Sequence, residues 1–204
     1  MAVVRSIKNL PIIPKAEYNP DFADYVWYTK LFSESEVDRI RALWDEEDVI
    51  DAAVDHAGEE QHKVELRKSK IIFLKPSLKT DWIYERLSMA CVQANMNRYK
   101  FDIQGFQSDL QLAKYGEGNF FDWHMDFGAG GISNRKLSIT VQLCDESEYE
   151  GGDLQFMINQ NTVTASKVKG TAIIFPSFGL HRVMPVTKGA RMSIVGWIGG
   201  PHYR

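Results

Sequence analysis

The chain has 204 residues, 44% of them hydrophobic and 25% charged, with a formal net charge of 24 − 27 = −3. That is an ordinary globular balance, long enough for one domain with a real core. It leaves no electrostatic footprint for nucleic acid or an anionic membrane, and no apolar run approaches the length of a membrane span.

The start, MAVVRSIKNLPIIPK, is too short and too interrupted for a secretory leader. Residues 1 to 30, with Pro11, Pro14 and Pro20 and then Tyr25, Trp27 and Tyr28, are expected to form an arm leading into an edge strand. In FSESEVDRIRALWDEED, Ser33 and Glu36 have the spacing of a capping box. Val37, Ile40, Leu43 and Trp44 follow at helical spacing, which predicts an amphipathic helix. Residues 46 to 66, polar and acidic, are expected to be a mobile loop. KIIFLKP predicts a strand stopped by Pro76. TDWIYERLSMACVQANMNRY predicts a second helix that buries Ile83, Leu87, Ala90, Cys91 and Ala94.

After residue 100, eight short runs rich in β-branched and aromatic residues alternate with turn signals: DLQLAKY, NFFDWHMD, KLSITVQLC, DLQFMI, TVTAS, TAIIFP, HRVMPV and RMSIVGWI. Segments such as GAGGISN, EGG, PSFG and TKG punctuate them. Strands at this spacing predict a sandwich or barrel. With two helices before them, the expected fold is α+β: a double-stranded β-helix (jelly roll) with N-terminal supporting helices. One domain is expected over residues 1–204, with residues 1–100 as support and 101–200 as the jelly-roll core. Cys91 and Cys144 are expected to be buried free thiols in a reducing compartment, which points to the cytoplasm.

Within NFFDWHMDFGAGG, His124 and Asp126 lie two apart on a predicted strand and so face one way, with Trp123 and Met125 on the other face. Phe121 is expected on the opposite side from Trp123. An imidazole and a carboxylate suit a divalent first-row metal but leave it short of ligands. His181, at the head of HRVMPV, is the best third ligand; His56 and His62 sit in the acidic segment and His202 is near the end. Two histidines and a carboxylate form the facial triad of non-haem Fe(II) oxygenases, although zinc takes the same ligands. Arg191 favours iron. It heads the strand predicted next after His181, across the turn VTKGA, with Ser193, Val195 and Trp197 on the same face. A guanidinium inside an apolar barrel needs an anionic partner, and a dicarboxylate cosubstrate provides one. Tyr115, ending the strand before His124, adds a phenol donor.

The set Y-x8-H-x-D … H-x9-R resembles the 2-oxoglutarate/Fe(II) dioxygenase superfamily, in its prolyl 4-hydroxylase-like branch that includes the PKHD-type hydroxylases. The resemblance runs over roughly residues 65 to 200. It implies His124, Asp126 and His181 as iron ligands, and Arg191 and Tyr115 as partners of the 2-oxoglutarate C5 carboxylate. It places Leu154 in the cosubstrate pocket, Arg135 against a substrate peptide and Trp197 beside a prolyl ring. Fe(II), 2-oxoglutarate, O2 and the reductant ascorbate are the cofactors it implies, and a proline-containing protein or peptide is the substrate it implies. The alternatives are an oxygenase of a free small molecule or of another amino-acid residue, and a metal-binding jelly roll without turnover. Phe121 stands where relatives often have Tyr, and Val141 where the oxygen-sensing branch has Tyr. The second arginine of nucleobase demethylases, six residues after the first, is Trp197 here, so no nucleic-acid partner is expected. The oligomeric state is not legible.

Overall fold

The computed structural model describes residues 18–52, 54–56, 59–61 and 66–203. The expected arm through residues 1–17, and His62, lie outside them. The first helix, α1 (Glu34–Arg41), starts where the capping box demands. Ser33 Oγ accepts from the Glu36 amide at 3.3 Å, and the Ser33 amide donates to Glu36 Oε2 at 2.8 Å. Val37 and Ile40 are fully buried, worth about 1.5–3 kcal/mol each in transfer free energy. The helix stops sooner than its apolar pattern suggests. Leu43 and Trp44 pack on the core from a tight turn, their amides donating to Ile40 and Arg41 carbonyls at 3.0 and 3.1 Å. The second helix, α2 (Asp81–Ala94), buries Ile83, Leu87, Ala90, Cys91 and Ala94, as the sequence implies. It runs into a π-turn, Asn95–Tyr99, closed by Lys100 in the left-handed region.

Most strands of the described residues fall in two antiparallel sheets, beside two two-stranded ribbons. The larger has eight, in the order Val26–Tyr28, Ala172–Pro176, Arg135–Gln142, Arg191–Gly199, Leu110–Tyr115, Lys70–Leu74 and Ile50–Asp51, with Gly105–Phe106 also pairing on Arg191–Gly199. The smaller runs Asn161–Thr164, Leu154–Ile158, His181–Val183, Phe120–His124 and Arg67–Lys68. Strand Val26–Tyr28 takes the sheet edge expected for it. The segment after residue 46 is not a plain loop: it carries a short helical turn, Glu46–Asp48, and strands Ile50–Asp51, Val54–His56 and Glu59–Gln61.

Arg135–Gln142 is buried along nearly its whole length because both of its faces are covered. Leu137, Ile139 and Val141 face a core shared with α1 and α2. Ser138, Thr140 and Gln142 face the space between the sheets, where Tyr115, Leu154, Phe156 and Phe175 form a second apolar cluster. Val141 therefore lies on the helix side and cannot fill a site position. Cys91 and Cys144 are both buried and unpaired.

The turn signals EGG and TKG belong to a further paired ribbon, Tyr149–Gly151 with Val186–Gly189. Glycine there marks backbone sign rather than absence of pairing: Gly151 and Gly189 have φ of 72° and 74°, and a Cβ on Gly151 would strike the Pro185 carbonyl. Through this ribbon the chain leaves the smaller sheet after Val183 and enters the larger one at Arg191. His181 and Arg191 are thus not on neighbouring strands. They face each other from opposite sheets.

Candidate functional site

His124 and His181 are opposite one another on adjacent strands of the smaller sheet. The register slips between them and the next pair, Phe121 with Val183, so Phe120–His124 carries one extra residue. This bulge sets aside the strict alternation expected of the strand. It brings Phe121 and His124 to the same interior side, their rings stacked at 3.4 Å between centroids. Trp123 turns outward beneath the Arg182 guanidinium. The strand ends at His124, so Asp126 reaches the same centre from the bend after it rather than from a strand position.

His124 Nε2 lies 3.7 Å from Asp126 Oδ1, and His181 Nε2 lies 3.6 Å from Asp126 Oδ2. One ligand atom from each residue falls within 4.8 Å of the other two, the one such three-residue cluster among the described residues. Each imidazole is oriented from behind. His124 Nδ1 sits 2.6 Å from the Asp122 carbonyl oxygen and His181 Nδ1 2.8 Å from that of Gly179. A carbonyl only accepts, so each Nδ1 carries the proton and each Nε2 turns a lone pair to the centre. Burial, reinforced by His181 and Arg67 against the pull of Asp126, lowers His124 to about 3, so it is neutral at physiological pH. Burial alone would raise the Asp126 carboxyl. The fields of His181, His124 and Arg135 and a 2.6 Å hydrogen bond from Ser138 Oγ outweigh that and hold it below its usual range. Two imidazole nitrogens and one carboxylate turned toward one centre are a donor set for a divalent metal.

A narrow chamber runs inward from the triad between the sheets, lined by Tyr115, Phe121, Thr140, Leu154, Phe175, Val183 and, at the far end, Arg191. Arg191 is 1% exposed. It donates to Gln142 Oε1 at 3.0 Å and Ser193 Oγ at 3.3 Å, its Nε has no partner, and no salt bridge among the described residues reaches it. Tyr115 is its cross-strand neighbour, with the guanidinium carbon 5.5 Å from the ring centre. A permanently charged group in an apolar chamber with only neutral partners is the signature of a site for an anion.

On the other side of the triad an open cleft of about 320 Å³ is bordered by Arg135, Trp197, Gln107, Gln111 and Arg67. Arg135 donates to Gln107 Oε1 at 2.6 Å and the Asp126 carbonyl at 3.2 Å, and its guanidinium stacks 4.1 Å over Trp197. Gln107 Nε2 also donates to the Gly131 carbonyl, in the short helical turn Gly130–Ile132. The glycine-rich segment is therefore tied to the cleft wall through Gln107.

The sequence pattern of the 2OG-Fe(II) oxygenase superfamily matches residues 110–199, the stretch that supplies the triad and Arg191. Residues 110–199 are thus similar to this superfamily over the stretch that carries the site. A PKHD-type hydroxylase of Synechococcus sp. (strain CC9902) is 40% identical over 81 residues, 40% of this chain and 36% of the relative. One from Prochlorococcus marinus is 38% identical over 89 residues, 44% of this chain and 40% of the relative. The matched stretch thus spans well under half the length of the curated relatives. Among solved structures, a Pseudomonas putida prolyl-4-hydroxylase superposes with a TM-score of 0.70 at 18% identity, covering 87% of this chain and 93% of that one. A Trichoplax adhaerens prolyl hydroxylase, in complex with a hypoxia inducible factor oxygen degradation domain peptide fragment, gives 0.73 at 15% identity over 86% and 83%. These likenesses establish the jelly-roll fold.

Within this jelly-roll fold, all eight residues singled out from the sequence come together: His124, Asp126 and His181 at the centre, Tyr115, Leu154 and Arg191 inward, Arg135 and Trp197 outward. Sequence reasoning missed Ser138 and Gln142, which hold Asp126 and Arg191. Their signal was present in KLSITVQ, where polar residues alternate within a strand too apolar to be at the surface. It also missed Arg67, on the short strand Arg67–Lys68 beside Phe120–His124. His202 is exposed and is not part of the cluster.

Proposed function

We propose that this chain is an Fe(II)- and 2-oxoglutarate-dependent dioxygenase that hydroxylates a prolyl residue of a protein or peptide. One observation carries the reading: a single chamber joins the His124–Asp126–His181 face to Arg191, a buried cation with no anionic partner among the described residues. The donor set fits Fe(II), because it offers three atoms of borderline hardness on one side and leaves the other side open. A 2-oxoglutarate dianion has chelating oxygens for a metal at the triad and a second carboxylate for the guanidinium that lines the same chamber. When bound, Fe(II) with 2-oxoglutarate and O2 supplies the oxidising power for hydroxylating a C–H bond.

The chain's own contribution is position and exclusion. The Asp122 and Gly179 carbonyls fix the histidine tautomers, and Ser138 holds Asp126. Arg191, oriented by Gln142 and Ser193, binds the far carboxylate, and Tyr115 adds a phenol donor from the adjacent strand. Leu154, Phe121, Phe175 and Val183 keep the chamber apolar, which strengthens that pairing and keeps water from the reacting centre. Arg135 and Trp197, stacked at the mouth, present a cation and a flat ring to the substrate. An open cleft, rather than a sealed cavity, supports a polypeptide substrate, as do the prolyl hydroxylases of like fold. Two unpaired thiols support a reducing compartment such as the cytoplasm. A single catalytic domain accounts for all the residues named.

The test is mass spectrometry of proline-containing peptides incubated with the protein, Fe(II), ascorbate and 2-oxoglutarate. Gain of one oxygen mapped to proline supports the reading. Gain at another residue, or on a free small molecule alone, would replace the prolyl assignment.

A further inference from the structure

The proposed reaction leaves a second buried arginine without a role. Arg67 is 7% exposed and borders both the inner chamber and the outer cleft. Its guanidinium lies 4.7 Å over the ring of Phe121, and that ring stacks on His124, so the charge sits one aromatic ring from the triad. Its hydrogen-bond partners are neutral: Ser69 Oγ at 2.9 Å and Gln111 Oε1 at 3.4 Å. No salt bridge among the described residues reaches it. Among the described residues, Asp126 is the one acidic residue bordering the outer cleft, and its oxygens already face the two histidines and Ser138. Arg67 and Arg135 both line this cleft.

Neutral hydrogen bonds and a phenyl face offset only part of the cost of burying a guanidinium. A carboxylate offsets the rest, through paired charge-assisted hydrogen bonds. The cosubstrate's distant carboxylate is accounted for by Arg191 at the other end of the chamber. We propose that Arg67 recognises a carboxylate on the substrate, held beside the triad. The proposal rests on the oxygenase reading above and narrows its substrate to an anionic one. The carboxylate is either an acidic side chain near the target residue of a peptide or the free carboxylate of a small molecule, and the two are separable.

The experiment is calorimetric titration of the protein loaded with Mn(II) and 2-oxoglutarate, using two probe pairs that differ only as acid and amide. One pair is the end-capped tripeptides Ala-Pro-Glu and Ala-Pro-Gln; the other is L-proline and L-prolinamide. The acid of at least one pair is expected to bind about tenfold or more tightly. A response in the tripeptides assigns the carboxylate to a peptide, and a response in free proline assigns it to a small molecule. Arg67→Gln is expected to reduce the ratio to about twofold or less, and Arg67→Lys to retain part of it. A structural role for Arg67 would leave the ratio unmoved. Parity in both pairs, no binding of any probe, or a ratio that survives Arg67→Gln overturns the proposal. So does weaker 2-oxoglutarate binding in Arg67→Gln with the acid preference intact. If Arg67→Gln does not fold, the wild-type ratio and Arg67→Lys still decide. Fe(II)-dependent succinate formation by the wild-type protein is measured alongside: its absence sinks the oxygenase reading, whereas succinate with acid–amide parity sinks the role of Arg67 alone.

Discussion

Replacing Arg191 by methionine separates a ligand-binding charge from a structural one. The guanidinium is 1% exposed and donates to Gln142 and Ser193 with no anionic partner among the described residues, so without ligand its charge is not neutralised by any of them. Methionine of similar length removes that charge and leaves Gln142 Oε1 short of a donor. The first change is neutral or favourable, and the second costs about 1–3 kcal/mol. Stability of the unliganded protein is therefore expected to stay within about 2 kcal/mol of wild type. Binding behaves differently, because the far carboxylate of 2-oxoglutarate loses its buried, charged partner. That loss is about 2–5 kcal/mol, or roughly thirtyfold and upward in affinity. The assay is thermal unfolding with and without 2-oxoglutarate, paired with the KM for 2-oxoglutarate in succinate formation. At a concentration of about a hundred times the wild-type Kd, ligand adds about 2.7 kcal/mol to wild type and less than about 1 kcal/mol to the variant. Arg191→Lys should fall between the two. Wild-type dependence on 2-oxoglutarate in Arg191→Met would refute the anion-site argument. A collapse of unliganded stability would show that the arginine is structural after all.

Ser138→Ala should lower Fe(II) affinity about tenfold by freeing Asp126 Oδ2 from its 2.6 Å donor; an unchanged metal titration would remove Ser138 from the site. Burial pushes the Cys91 thiol up to about 12, which favours its neutral form at every pH where the protein is handled, so the native protein should resist alkylation at Cys91 at pH 8 and lose that resistance in denaturant. Prompt native labelling at Cys91 would contradict its placement in the core. Gly170→Ala should cost about 2 kcal/mol or more, because φ is 78° there and a Cβ would collide with the Phe32 carbonyl oxygen. An unchanged Tm would show that the loop holding α1 against the larger sheet can move aside.

Much of this fold was legible because its signals are local. The capping box of Ser33 and Glu36, the buried face of α2 and eight strand runs need only neighbouring residues to be read, and each run became a strand. The site was legible because His124, Asp126, His181 and Arg191 are residue types that a core tolerates only with partners. What escaped is non-local. The bulge that lets Phe121 share the His124 side, as expected of it, depends on the partner strand at His181–Val183, so alternation within Phe120–His124 alone does not contain the bulge. The crossing from smaller to larger sheet between Val183 and Arg191 was hidden because a glycine at positive φ inside a paired ribbon reads like one in an open turn. Arg67 was invisible for the same reason: its strand has two residues, and its burial comes from Phe121, Gln111 and Ser69, which the fold brings around it.

The central claim is that this chain couples O2 reduction to 2-oxoglutarate decarboxylation at the His124–Asp126–His181 centre. The most direct measurement is the reaction under 18O-labelled dioxygen with Fe(II) and 2-oxoglutarate. The claim expects one labelled oxygen in the succinate formed by the wild-type protein and no succinate from Asp126→Ala. Unlabelled succinate, or equal turnover by Asp126→Ala, would contradict it.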